Sequence, residues 1–88
     1  MKQIRVVLKD KAGLHARPAA AFVQAAAQFK SRITIATEAG KEADAKSILS
    51  VMGLGARQGD TVTIAIQGDD EEQAAAALEA FFAQQGGE

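Results

Sequence analysis

Apolar and polar residues alternate along three stretches of the chain. In residues 1–9, Ile4, Val6 and Leu8 point one way while Gln3, Arg5 and Lys9 point the other. Ile33 and Ile35 repeat the pattern in residues 32–37. Val62, Ile64 and Ile66 do so opposite Thr61, Thr63 and Gln67. A period of two predicts strands with one buried face. A shorter, more polar strand is expected over residues 41–45, reached through a hairpin turn at Glu38, Ala39 and Gly40.

Elsewhere the period lengthens. Ala19, Phe22, Val23, Ala26 and Phe29 fall at helical spacing, which predicts a first helix capped by His15 and running to about Phe29. Pro18 then sits in the first turn, where its missing N–H costs no helical bond, and it biases Arg17 away from the α region. Residues 46–54 read as a short helix with Ser47 near its start, closed by Gly53 or Gly55. The last helix opens on Asp69, Asp70, Glu71 and Glu72, an acidic turn that suits the helix dipole, with Asp69 and Glu72 at capping-box spacing. Ala74, Leu78, Phe81 and Phe82 form its buried side.

The order is β-α-β-β-α-β-α. Strands with one apolar face need a cover, and amphipathic helices are at hand to supply it. The expected architecture is α+β: an open-faced β-sandwich, in which a four-stranded antiparallel sheet has helices packed on one face. Residues 1–88 allow one domain with one modest core.

Composition removes several function classes. The chain has no cysteine and a single histidine, so no disulfide, thiol chemistry or structural zinc site is expected. The formal net charge of −1 gives no basic footprint for nucleic acid. No apolar run approaches the ~20 residues that span a bilayer, and the start of the chain lacks the pattern of a signal peptide. A small cytoplasmic domain, without membrane insertion, is the expectation.

Candidate chemistry concentrates in Gly13-Leu14-His15-Ala16-Arg17-Pro18, which holds the only histidine and the only proline. Taken alone, a single histidine carries little information. Its position changes that. The opening of a helix offers unpaired amides and the positive end of a dipole, both of which attract an anion. A neutral imidazole, with a reference pKa of about 6.5, can attack phosphorus near neutral pH. Arg17 offers a planar fork for phosphate oxygens, and the amides of Ala16 and Arg17 add donors.

A second candidate surface lies on the short helix. A helix of this length cannot bury every side, and Val51 with Leu54 already supplies an inward pair. Ile48, Leu49 and Met52 are then left either to the core or to a small outward apolar patch suited to transient docking, with Lys30, Lys46 and Arg57 available as a charged rim. Ser47 by itself reads as an N-cap.

The segment Gly13-Leu14-His15-Ala16-Arg17-Pro18-Ala19-Ala20 resembles the active-site signature of the histidine-containing phosphocarrier (HPr) family of the bacterial phosphoenolpyruvate-dependent sugar phosphotransferase system. The run from Ala45 to Gly55, with Ser47 third in it, resembles that family's regulatory-serine segment. Length and element order agree as well, so the resemblance covers essentially the whole chain. It implies that His15 accepts a phosphoryl group on Nδ1 from phosphorylated enzyme I and passes it to enzyme IIA domains of sugar transporters. Arg17 would contact the phosphate. Ser47 would be the target of an HPr kinase/phosphorylase, its phosphorylated form binding a catabolite-control regulator. The resemblance implies no cofactor and no metal, and a relay carrier rather than a free-standing enzyme. The carrier role favours a monomer.

Two other readings stay open at this point. One is an HPr-like regulatory binding module of carbon or nitrogen control, acting through protein–protein contacts at Ser47. The other is a generic small α/β interaction domain, which accounts for the elements and leaves both motifs unexplained.

Overall fold

The three alternating stretches and the shorter polar one form the four strands of one antiparallel sheet. The computed structural model describes residues 1–9 and 16–84, without the side chains of residues 16, 17 and 84. Its elements are β1 (Lys2–Val7), α1 (Ala16–Ala27), β2 (Arg32–Thr37), β3 (Glu42–Asp44), α2 (Ile48–Met52), β4 (Thr61–Gln67) and α3 (Glu71–Gln84). The strand order is β1-β4-β2-β3, so β4, formed late in the chain, runs through the middle of the sheet. Ile64 lies opposite Ile4 on one side and Ile35 on the other. This register aligns the inward residues of three strands into one apolar surface.

The helices cover that surface. Ala19, Phe22 and Ala26 of α1 are buried, as are Ala74, Ala75, Leu78 and Phe82 of α3. Val23, Phe29 and Phe81 pack against the same core from its margin. Phe22 meets Phe82 with ring centroids 5.4 Å apart, and Phe82 meets Phe81 edge-on at 5.1 Å. Three of the four aromatic side chains thus lie at the contact between α1 and α3.

Several boundaries differ from the sequence expectation. The α1 helix ends at Ala27 rather than Phe29, because the chain tightens into three-residue turns: Gln28 and Phe29 donate to the Ala25 and Ala26 carbonyls. Arg17 belongs to α1, so the extended bias imposed by Pro18 is overridden in the first helical turn. The third strand covers 42–44 only, and the short helix begins at Ile48 rather than Lys46. Asp44 accepts the amide of Lys46 on Oδ1 and that of Ser47 on its carbonyl, which holds 44–47 in a turn before the helix starts. At the far end Gly53 keeps helical geometry, and Gly55, at φ +68, makes the reversal. The expected Asp69–Glu72 capping box is replaced by a different arrangement. Glu71 accepts the Gly68 amide on its side chain, while the Asp70 carboxylate faces the end of α1.

Candidate functional site

The α1 helix begins at Ala16, the residue after His15. Ala16 and Arg17 are therefore its first two residues, and their amides belong to the group that has no acceptor within the helix. Pro18, third in the helix, has no N–H to leave unpaired. Both Pro18 and Ala19 are buried, which anchors this first turn on the core. His15 lies outside the described residues, as does the side chain of Arg17.

Ser47 takes the N-cap position of α2. Its backbone is extended, at φ −117 and ψ 112, and its hydroxyl accepts the Ser50 amide at 3.4 Å. The Ser47 carbonyl receives the first helical bond from Val51, at 3.0 Å. From this start α2 turns Val51 fully inward, with Leu54 buried just beyond. Ile48, Leu49 and Met52 reach solvent, with Leu49 80% exposed. Of the alternatives left open for these three residues, the structure selects the outward one.

Of the three cations considered for the rim, Arg57 and Lys30 have exposed side chains. Lys46 is half-buried, and its Nζ donates to the Phe29 carbonyl at 2.6 Å. The Lys46 contact was not legible in the sequence, because its partner is a backbone oxygen 17 positions away. The Asp70 carboxylate was missed for a similar reason. It accepts the amides of Lys30 at 2.8 Å and Ser31 at 2.9 Å, together with the hydroxyl of the buried Ser31.

Among the described residues, no group of three or more His, Cys, Asp or Glu side chains could hold a metal ion. No helix among them is long and apolar enough to cross a membrane.

An open-faced α+β sandwich whose first helix opens at Ala16 has the architecture of a phosphocarrier. A family model described as the PTS HPr component phosphorylation site matches residues 2–84. The phosphocarrier protein HPr of Mycoplasma pneumoniae is 45% identical over 82 residues, covering 93% of each chain. The HPr-like protein Crh of Halalkalibacterium halodurans is 46% identical over 82 residues, covering 93% of this chain and 96% of its own. The crystal structure of HPr-C-His from Thermoanaerobacter tengcongensis superposes with a TM-score of 0.93 at 45% identity, over 100% of this chain and 98% of that one. An HPr dimer from the same organism has also been solved. The chain belongs to the HPr family of phosphotransferase-system phosphocarriers.

Proposed function

We propose that His15 carries the phosphoryl group, between phosphorylated enzyme I and the enzyme IIA domains of sugar transporters. One observation supports this reading above the others: the family match runs through the 13–20 motif, and α1 opens directly behind its histidine. In the forward step the Nδ1 lone pair of neutral His15 attacks phosphorus. The N–P bond forms as the bond from phosphorus to the donor breaks, and the donor keeps that electron pair. The ring proton stays on Nε2. Transfer to the acceptor repeats the exchange with His15 as the leaving group. Arg17 and the amides of Ala16 and Arg17 stabilise the equatorial oxygens while charge is shared between the two ends.

Ile48, Leu49 and Met52 form the docking patch in this reading, and Ser47 beside them is the regulatory site. A phosphate there would add about −1.5 to −2 charges at the edge of the patch. Modification by an HPr kinase/phosphorylase would then hinder enzyme I and suit binding to a catabolite-control regulator. The carrying form is a monomer, because partners must exchange on one exposed face.

A second reading is favoured by the similarity to Crh, the catabolite repression HPr of Bacillus subtilis: a regulatory module of carbon or nitrogen control that acts through protein–protein contacts and takes no phosphoryl group from enzyme I. Intact mass separates the two. After incubation with enzyme I and phosphoenolpyruvate, the chain should gain one acid-labile phosphate, and His15→Ala should gain none. Ser47→Asp should gain it more slowly. No phosphate on the folded wild type, with an enzyme I active on its own carrier, would overturn the carrier reading in favour of the regulatory one. An unchanged rate in Ser47→Asp would remove Ser47 from the regulation.

A further inference from the structure

Helix α2 spans five residues, well short of the length at which a helix holds itself together in water. Its orientation must come from outside contacts. Val51 and Leu54 supply the apolar ones. Ahead of the helix the Ala45 amide is tied to the Ile33 carbonyl of β2, and the side-chain contact is the Lys46 ammonium on the Phe29 carbonyl, just past the C-terminal end of α1, where a cation also meets the negative end of the helix dipole.

The oxygen that Lys46 grips belongs to a braced turn. The next two residues, Lys30 and Ser31, donate their amides to Asp70 at the start of α3. Gly68 presses on the same turn so closely that an added Cβ would stand 2.6 Å from the Ser31 hydroxyl oxygen and 2.7 Å from its Cα. The end of α1 is therefore fixed to α3, and Lys46 extends that bracing to α2. Asp44, by holding the Lys46 and Ser47 amides, sets the direction from which Lys46 reaches across.

We propose that Lys46 is a positioning residue: its bond to the Phe29 carbonyl holds α2, and with it Ile48, Leu49 and Met52, in the orientation that partners read. The part concerning partners rests on the carrier reading given above. The part concerning α2 does not.

The experiment has two arms, using Lys46→Met, which keeps the aliphatic stem, and Lys46→Arg, which restores a charged donor. In the free protein, amide exchange at Val51 and Gly53, whose N–H groups donate to the Ser47 and Leu49 carbonyls, should speed up about tenfold in Lys46→Met. The amides of Ile35 and Ile64 at the sheet centre should not change. In steady-state phosphorylation by enzyme I, Lys46→Met should raise KM about fivefold with kcat within about twofold, and Lys46→Arg should restore both readouts. Unchanged exchange at Val51 and Gly53 overturns the proposal, and a raised KM alongside it would make Lys46 a direct partner contact. Faster exchange with an unchanged KM overturns the link to docking. If wild type accepts no phosphate from an active enzyme I, the carrier reading has failed, and the exchange arm still decides the role of Lys46.

Discussion

Asp70 takes three hydrogen bonds on one carboxylate, all from the turn that follows α1. The Ser31 hydroxyl, followed by the Lys30 amide, holds its pKa below the ordinary aspartate value of 3.8. The unfolded chain lacks both donors. The stability this group contributes is therefore fully present above 3.8, and it declines as pH falls below that value toward the native pKa. Asp70→Asn keeps one acceptor oxygen but sets an amide donor against a backbone N–H of the turn, at Lys30 or Ser31. It should lower the urea midpoint at neutral pH and flatten the acid limb of the stability curve. Glu71 is also held low, chiefly by the Gly68 amide, so some acid dependence should survive. Urea midpoints between pH 7 and pH 3 check this, and an acid limb as steep as that of wild type would exclude Asp70 as its source. Nothing local announced this role, since the carboxylate and the turn are 39 and 40 positions apart.

At the scale of the element, α2 separates the cost of folding from the cost of docking. Leu49 is 80% exposed, so its side chain contributes little to the core. Leu49→Ala should change stability by no more than about 0.5 kcal/mol in either direction, as expected for a surface position. If the patch is where enzyme I docks, the same substitution should raise KM several-fold while kcat holds. Urea denaturation and phosphorylation kinetics on one preparation test both halves. The inward place of Val51 was legible in the sequence, whereas Leu49 stood open between core and solvent until the structure exposed it. The angle at which the patch is presented was not, because it depends on Lys46 reaching a carbonyl on another element.

At the scale of the molecule, stability rests on the layer where α1 and α3 meet above the sheet. Phe22 is fully buried there, with ring centroids 6.1 Å from Phe81 and 5.4 Å from Phe82. Truncation to alanine removes aromatic contacts that link both helices and leaves a cavity between them. Phe22→Ala should cost about 3–5 kcal/mol. That is a large share of the ~5–15 kcal/mol that stabilises a typical domain, so the variant should be near the edge of folding at 37 °C. Equilibrium urea denaturation gives the number, and a loss below about 1 kcal/mol would mean that Phe81 and Phe82 close over the gap.

The sequence by itself determined which face of the alternating strands and of the two long helices turns to the core. A period of two or of 3.6 decides the side on which each side chain falls before any element meets another. It also pointed to the candidate chemistry, because His15, Arg17 and the helix opening at Ala16 are neighbours along the chain. Tertiary structure decided what depends on contacts distant in sequence. These are the central place of β4 in the sheet, the bracing of the 29–31 turn by Asp70 and Gly68, and the anchoring of α2 by Lys46. Each joins a side chain or a strand edge to backbone groups that differ little from one residue to the next. Side-chain pattern carries no signal for such partners until the chain has closed.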